Sequence, residues 1–292
     1  MEGGRQVKLP GYKRMFSGYL KGVGIEIGAL DHPMIVPQGT KVLYVDRLDK
    51  DALRHQYPEL KKAEIVDVDV VASIATLDSA FPPNSLDFVI ANHIIEHVDD
   101  PLGALIQFHQ VLRVGGVLHL AVPDKRATFD RDRPRTPLSH CILDHEVSNE
   151  FQREKRDILH YQEWVAKVPQ YYPKQQRDYQ SNLEELWKDR YCIHLHVWEP
   201  NDWPEIINYL NQIDYPYLLL DYSNVFCPEQ RNEFVLILRK EKVPVQPLQN
   251  TLREKGPIRW YITRLFIRLF VRPLKPFLRP LIHILLRRRE ER

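Results

Sequence analysis

The stretch of sequence that decides the fold lies near the amino terminus and reads Val23-Gly24-Ile25-Glu26-Ile27-Gly28-Ala29-Leu30-Asp31. A short apolar run begins at Val23 and ends in a turn at Gly28. Parallel α/β sheets bind ligands beyond the carboxyl ends of their strands, and a glycine there lets the backbone approach the ligand closely. The carboxylate of Glu26 disfavours a diphosphate and favours a cation. The stretch therefore predicts a binding turn for a positively charged ligand.

Outward from this stretch, short apolar runs alternate with helix-like stretches through residue 125. The runs that predict buried strands are Val23–Ile27, 41–45, 86–91 and 117–122. Residues 49–57 and 101–114 are predicted to be helices. In the second of these stretches, apolar residues recur every three or four positions. Near-continuous apolar strands that alternate with helices indicate a parallel sheet covered on both faces. We predict a doubly wound α/β fold with a mostly parallel, seven-stranded sheet.

The alternation stops at residue 125. Residues 125–195 are rich in charged and aromatic side chains, which predicts a helical insertion that covers the substrate after the fifth strand. Residues 217–222 and 233–239 predict the last two strands, as an antiparallel pair. We therefore expect one domain over residues 1–241, followed by a linker over 242–257.

The composition excludes several classes of protein. The chain has 292 residues and a formal net charge of +2, and its 27% charged and 43% hydrophobic content is ordinary for a globular protein. Its three cysteines (Cys141, Cys192 and Cys227) form no CxxC pair, which indicates a reducing compartment and not a cysteine-rich zinc site. The first twenty residues lack the apolar core of a signal peptide. We expect a cytoplasmic protein.

The charge is unevenly distributed along the chain. Residues 253–292 hold 12 Lys and Arg against 3 Asp and Glu, a net of +9, whereas residues 1–252 carry −7. Arg264, Arg268 and Arg272 fall on one helical stripe beside bulky apolar residues. This pattern predicts a basic amphipathic helix in the tail, 258–292, that attaches peripherally to the inner face of the membrane. A helix docked on the body or on a dimer partner is the alternative; we expect no nucleic acid partner, because phosphate binding needs no such aliphatic surface.

A carboxylate at the end of the second strand narrows the choice of ligand. Asp46 lies 18 residues past Gly28 and is placed to accept hydrogen bonds from ribose hydroxyls. A glycine turn with a ribose carboxylate suits a nucleoside, and Glu26 favours a cationic one. S-adenosylmethionine (SAM) is both.

With these features the sequence resembles the class I SAM-dependent methyltransferases, in their small-molecule and glycan-associated branch. The resemblance covers residues 20–145 well and continues more weakly to about 240. The motifs that carry it are Glu26-Ile27-Gly28, Tyr44-Val45-Asp46, the run 69–77, the run 84–98, Asp100-Pro101 and the run 111–118.

The resemblance implies roles for individual residues. Those implied to bind SAM are Glu26, Gly28 and Ala29 at the methionine moiety, Asp46 at the ribose, Arg47, Ser73 and Ile74 near the adenine, and Asn92 beside the methyl group. His93 would line the methyl-transfer face with Asn92. The sequence departs from the family at Leu30 and His32, where many members have glycine, and at Ser73, where members often have aspartate.

The segment after the fifth strand gathers further candidates. Asp124, Arg126 and Arg133 are predicted to bind the acceptor, since arginines clamp carboxylates or phosphates. His140 and Asp144 lie one helical turn apart, so the carboxylate can orient the imidazole as a general base. A surface network of mutually satisfied ion pairs is the alternative.

The run 93–97 spells HxxEH, which is also a zinc-binding pattern of metalloproteases. Because the run directly follows a predicted strand and overlaps the methyltransferase motif, we predict no metal site there or elsewhere. The expected function is methyl transfer from SAM to an oxygen or nitrogen of a small-molecule, saccharide or lipid-linked acceptor. A non-catalytic SAM-binding module and an NAD(P)-dependent oxidoreductase are the alternatives.

Overall fold

The computed structural model describes residues 16–57, 60, 63–147, 149–168, 179–188, 191–223 and 232–249. The chain divides into two units, Met1–Arg253 and Glu254–Arg292, and every described residue belongs to the first. The predicted tail at 258–292 lies outside the described residues, so its helix stays a prediction, as do the domain boundaries. The predicted linker is described only as far as residue 249.

The described residues contain a seven-stranded sheet. Its strands are β1 (Val23–Ile27), β2 (Lys41–Asp46), β3 (Val70–Val71), β4 (Leu86–Asn92), β5 (Leu112–Pro123), β6 (Tyr217–Ser223) and β7 (Glu233–Lys240), in the order β3-β2-β1-β4-β5-β7-β6. The first five strands pair in parallel, and β7 pairs antiparallel with β5 and β6. The predicted doubly wound sheet and its antiparallel end are confirmed.

The described residues form seven α-helices. They are α1 (Lys50–Gln56), α2 (Leu77–Ala80), α3 (Pro101–Val111), α4 (Leu138–His145), α5 (Glu150–Lys167), α6 (Tyr179–Lys188) and α7 (Trp203–Gln212). Several begin at a capping side chain: Asp49 accepts the Ala52 N–H at 2.9 Å and Asp100 accepts the Gly103 N–H at 2.7 Å. Among the described residues, none of the helices has both the length and the apolar character needed to cross a membrane.

The centre of the sheet is buried on both sides, as the apolar runs predict. The β4 residues Phe88, Val89, Ile90 and Ala91 are all fully buried. The chain runs from β1 outward to β3 and then returns to β4 on the other side of β1, so the strand order reverses between β1 and β4. A crevice opens at the carboxyl edge where such a reversal occurs, and ligands of doubly wound sheets bind there.

The segment after β5 forms the predicted helical insertion. It contains α4, α5 and α6, and it has a small apolar core of its own. That core consists of Tyr161, Trp164, Val165, Val168, Leu183 and Ile193. The insertion is thereby held over the carboxyl edge of the sheet, where residues 191–198 meet the ends of β4 and β5.

Candidate active site

The turn after β1 requires glycine for two reasons. Gly28 has a φ of +64°, in the left-handed region, and a Cβ atom there would lie 2.5 Å from Cδ1 of Ile94. Leu30 is also left-handed, with a φ of +49°, which costs a side-chain-bearing residue roughly 1–2 kcal/mol. The backbone therefore keeps the glycine conformation at Leu30 although the sequence departs from the family there.

Glu26 stabilises the loop that follows this turn by hydrogen bonding. Its carboxylate is buried, with 3% exposure, and both of its oxygens accept the backbone N–H of Met34 at 2.9 Å. The loop that leaves β1 is thus closed back onto its strand. Ala29, predicted beside Gly28 as a contact of the methionine moiety, is buried in the same loop, and its carbonyl accepts the His32 N–H at 2.8 Å.

Asp46 lies beside Gly28 at the same edge. The Gly28 N–H donates to the carbonyl of Val45 at 3.0 Å, so the glycine turn and the end of β2 are adjacent. Burial raises the pKa of Asp46, although the N–H groups of Arg47 and Leu48 partly offset this by hydrogen bonding to the carboxylate. Arg47 is exposed, and its guanidinium hydrogen-bonds the Tyr57 hydroxyl.

These features fit a nucleoside with a cationic group. Gly28 exposes bare backbone at the turn, where a Cβ atom would meet Cδ1 of Ile94, and Asp46 presents a carboxylate next to it. At β3 the fit is looser: Ser73 is exposed, and its hydroxyl accepts the Ala75 N–H at 3.3 Å, capping the short turn that starts at Ile74. Family members often have an aspartate at the position of Ser73; in this chain that carboxylate is absent.

Asn92 ends β4 and links three elements. Its side-chain oxygen accepts the Nδ1–H of the buried His119 on β5 at 2.9 Å, and its Nδ2 lies 3.9 Å from Sδ of Met34. Asn92 thereby lies between β5 and the loop that closes on Glu26.

A cavity of about 340 Å³ opens beyond β4 and β5. It is bounded on one side by the strand ends and on the other by the insertion. Its lining residues are His93, Pro123, Ala127, Thr128, Phe129, His194 and Asn232. Two imidazoles therefore face one cavity from different parts of the chain.

His93 is the first of these imidazoles. It follows β4 with a φ of +55°, and its Nε2 lies 2.6 Å from Oε2 of Glu233, at the start of β7. Burial alone would lower the pKa of His93, but the hydrogen bond with Glu233 and the nearby charge of Glu96 outweigh it, so the pKa is raised. Left-handed non-glycine residues are concentrated at functional sites.

His194 is the second imidazole that lines the cavity, and a carboxylate orients it as Glu233 orients His93. Its Nδ1 lies 2.6 Å from Oδ2 of Asp130, which is buried. Burial would raise the pKa of Asp130, but His194 and Arg133 together lower it. Each imidazole is thus oriented by one carboxylate, the arrangement used to position a proton acceptor.

A buried carboxylate lies between neighbouring histidines below the cavity. Glu96 is 1% exposed, and neither oxygen of its carboxylate has a hydrogen-bond partner among the described residues. Its Oε1 lies 3.7 Å from Nδ1 of His93 and 3.8 Å from Nε2 of His97. Burial would lower the pKa of His97, but hydrogen bonding with Cys192 and the charge of Glu96 raise it to about 9. Burial would raise the pKa of Cys192, but His97, with its Nδ1 3.3 Å from Sγ, lowers it.

The predicted acceptor-binding residues are mostly occupied by partners within the protein. Arg126 makes a two-pronged ion pair with Asp124, with distances of 2.9 and 2.6 Å. Arg133 is 3% exposed and donates to Asp130, to Glu163 and to the backbone carbonyls at 194 and 195. Arg133 therefore anchors the insertion, and the ion-pair network proposed as the alternative describes it better than a substrate clamp.

The predicted general base also has a different setting. His140 Nε2 does lie 3.2 Å from Oδ2 of Asp144, but this oxygen also lies 3.0 Å from Nε2 of His196 and 3.8 Å from Nε2 of His160. We call these four residues the three-histidine cluster. None of them is among the residues that line the cavity. The four-residue spacing correctly predicted the contact between His140 and Asp144. His140 does not line the cavity, however, so it is not placed to act as the general base there.

Three residues of this site had no predicted role: His194, Asp130 and Glu233. His194 and Asp130 lie in the insertion, whose path over the sheet has no short-range signal in the sequence. Glu233 begins a predicted strand, and a charged residue at a strand's start ordinarily indicates only a solvated end. The proximity of all three to one cavity follows from tertiary structure alone.

Together, the reversed strand order, the glycine turn and the carboxylate at the end of β2 have the geometry expected of a nucleoside-binding domain. Residues 23–120 match the model of a protein family described as a methyltransferase domain. Residues 23–120 are thus a methyltransferase domain; its cofactor is SAM, and through this domain the chain is a SAM-dependent methyltransferase. A search of the curated proteins found no match.

The solved structures that the comparison found share little sequence with this chain. The 1,6-didemethyltoxoflavin-N1-methyltransferase of Burkholderia thailandensis is 16% identical, with 79% of each chain covered and a TM-score of 0.42. A SAM-dependent methyltransferase of Thermotoga maritima, described as a possible histamine N-methyltransferase, is 15% identical, with 76% and 83% covered and a TM-score of 0.39. The CurJ carbon methyltransferase is 14% identical with a TM-score of 0.40; the match covers 76% of this chain but only 49% of that one.

Proposed function

We propose that this chain transfers a methyl group from SAM to an oxygen or nitrogen of a small-molecule, saccharide or lipid-linked acceptor held in the 340 Å³ cavity. The observation that carries the proposal is the pair formed by His93 and Glu233. His93 lines the cavity, and its Nε2 lies 2.6 Å from Oε2 of Glu233, so a carboxylate orients the imidazole. An acceptor hydroxyl needs such a group to take its proton.

Each part of the site has a role in this reaction. SAM supplies an electrophilic methyl group on a sulfonium. The turn at Gly28 and the carboxylate of Asp46 hold the nucleoside, while His93 takes the acceptor's proton and Glu233 stabilises the resulting imidazolium. The insertion covers the acceptor and excludes water, because Thr128, Phe129 and His194 form its side of the cavity.

Asp124 and Arg126 stay in the proposal as acceptor contacts. They follow Pro123 and precede Ala127, both of which line the cavity. Because Asp124 fixes the guanidinium of Arg126, this arginine is pre-organised for an anionic group such as a phosphate or a sugar acid.

The test combines cofactor binding with turnover. Full-length protein is titrated with SAM and with NADH by calorimetry, and formation of S-adenosylhomocysteine is measured with a panel of hydroxyl and amine acceptors. His93→Gln should bind SAM normally and lose most turnover, while His145→Gln, which alters a His–carboxylate pair outside the cavity lining, should keep it. NADH binding without SAM binding would favour the oxidoreductase; SAM binding without any turnover would favour the non-catalytic module.

The proposed location is cytoplasmic, with peripheral attachment through the tail at 258–292. The support is the sequence pattern of that segment, in which three arginines lie on one stripe beside large apolar residues. Truncation after Pro257 should abolish co-sedimentation with anionic vesicles and leave SAM binding intact. Loss of SAM binding or of folding in the truncated chain would instead indicate a structural role for the tail.

A further inference from the structure

The three-histidine cluster (His140, Asp144, His160 and His196) brings together four potential metal ligands from three segments of the chain. His140 and Asp144 come from α4, His160 comes from α5, and His196 lies on the stretch between α6 and α7. One ligand atom from each residue lies within 4.8 Å of every other. The side chains of Asp144, His160 and His196 are at most 5% exposed, and only that of His140 reaches solvent.

The atoms converge as metal ligands do. All three imidazoles direct Nε2 toward the same oxygen, Oδ2 of Asp144, at 3.0, 3.2 and 3.8 Å. In a tetrahedral zinc site with bonds near 2.1 Å, neighbouring ligand atoms are roughly 3.3–3.5 Å apart. The three rings meet edge to face, with centroids 4.8–5.6 Å apart. Four side chains are thus arranged around one point.

Hydrogen bonding alone does not explain this arrangement. Nε2 of His140 is buried and makes no hydrogen bond, and Nε2 of His160, at 3.8 Å, is too far from the oxygen to donate. Only His196 makes a hydrogen bond to Oδ2. A buried nitrogen without a partner normally costs stability, so its presence beside two others indicates a ligand that all of them share.

The second oxygen of Asp144 has the partner expected of a ligating carboxylate. Oδ1 accepts a hydrogen bond from Nε of Arg156, which leaves Oδ2 to face the histidines. Metal-binding carboxylates are commonly oriented by such an outer hydrogen bond. The guanidinium also fixes which oxygen points inward.

We propose that His140, His160, His196 and Asp144 bind one zinc ion in a closed tetrahedral site. Three imidazole nitrogens with one carboxylate oxygen suit zinc and exclude magnesium and calcium, which take oxygen ligands. With four protein ligands, the site has no position for a reacting water, so its role is structural. It holds α4 and α5 to the stretch of chain between α6 and α7. That stretch also carries His194, which lines the cavity. No short motif in the sequence predicts it, since the ligands are far apart along the chain.

Metal content tests the proposal directly. Full-length protein purified without chelator should contain about one zinc ion per chain by elemental mass spectrometry. Asp144→Asn and His160→Gln each remove one ligand at nearly constant size and should lower the zinc content at least tenfold. Arg156→Gln should weaken zinc binding by roughly 10–100-fold, because it releases the orienting hydrogen bond.

Two controls make the result specific. His145→Gln changes a neighbouring histidine that pairs with Asp100, and it should retain zinc. Glu96→Gln alters the other group that could hold a metal among the described residues, Glu96 with His97 and His194, and it should also retain zinc. Loss of zinc in Glu96→Gln with retention in Asp144→Asn would overturn the proposal.

A measurement on the unmodified protein covers the case in which the ligand variants fail to fold. X-ray absorption of the zinc-loaded chain should show a four-coordinate shell of nitrogen and oxygen with scattering from three imidazoles. A sulfur ligand, a six-coordinate oxygen shell, or a folded protein that takes up neither Zn²⁺ nor Co²⁺ would each refute the site.

Discussion

His93 Nε2 and Oε2 of Glu233 lie 2.6 Å apart, although 140 residues separate them along the chain. His93 immediately follows β4, Glu233 begins β7, and the two strands are separated by β5 in the sheet. The antiparallel direction of β7 is what brings its first residue to the carboxyl ends of β4 and β5. Glu233 can therefore orient the imidazole of His93. In a fully parallel sheet, the first residue of β7 would lie at the opposite edge.

This pair predicts how activity depends on pH. The raised pKa of His93 means that the imidazole is protonated, and cannot accept a proton, until the pH exceeds a value above its ordinary 6.5. Activity should therefore fall as the pH decreases through that raised pKa. Glu233→Gln removes the carboxylate, so the acid limb of the pH–rate profile should move to lower pH while kcat falls roughly tenfold or more.

The matched control for this prediction is Glu241→Gln. Glu241 follows β7 at its opposite end and pairs with Arg239, away from the cavity lining. Its substitution should leave the profile unchanged. An acid limb that stays in place in Glu233→Gln would show that His93 is not the group whose protonation limits the rate.

Cofactor binding should depend on Asp46 and on the absence of a side chain at residue 28. Asp46→Asn should weaken SAM binding by roughly 10–100-fold, because charged hydrogen bonds contribute about 1.5–3 kcal/mol. Gly28→Ala should also weaken binding, since an alanine is strained in this left-handed backbone and its Cβ would displace Cδ1 of Ile94. Calorimetry measures both, with the exposed Asp51→Asn as control; an unchanged affinity in Asp46→Asn would remove the ribose role.

Cys192 should react selectively with alkylating reagents. Its pKa is lowered through His97, whereas burial raises the pKa of Cys141 to about 12. At neutral pH, iodoacetamide should therefore label Cys192 much faster than Cys141. Peptide mass spectrometry distinguishes these sites from Cys227. His97→Gln should slow the labelling of Cys192; an unchanged rate would contradict the lowering of the Cys192 pKa by His97.

Acid should destabilise the fold through His109 on α3. Burial, together with the nearby charge of Lys240, lowers the pKa of His109 to about 4, while the carbonyl of Pro216 only partly offsets this. Because the unfolded chain binds this proton near pH 6.5, stability is full above 6.5 and is lost as the pH falls toward 4. The loss attributable to His109 is at most about 3 kcal/mol.

Urea unfolding at several pH values measures this effect. The free energy of unfolding of wild type relative to His109→Gln should decrease between pH 6.5 and 4. His55→Gln, at an exposed position on α1, serves as the control and should track the wild type. A difference between wild type and His109→Gln that does not vary with pH would refute the prediction.

The fold could be read from the sequence because its signals are local. A strand buried on both faces requires consecutive apolar residues, so β1, β4 and β5 are visible as runs. Gly28 and Asp46 could be singled out because each lies at the carboxyl end of a strand, and the carboxyl ends of parallel strands share one edge. Even the departure at Leu30 was informative, since the backbone there retains the left-handed conformation that glycine adopts most easily.

The sequence by itself determined the class of fold and the cofactor, and it predicts the edge of the sheet at which the cofactor binds, because these depend on residues at the ends of strands. Only the tertiary structure decided which groups meet across that edge. Whether His140 faces the cavity or a shared carboxylate, and which carboxylates orient His93 and His194, depends on how the insertion and β7 fold back over β4 and β5. Such contacts join residues tens to more than a hundred positions apart, and no local pattern of residues encodes them.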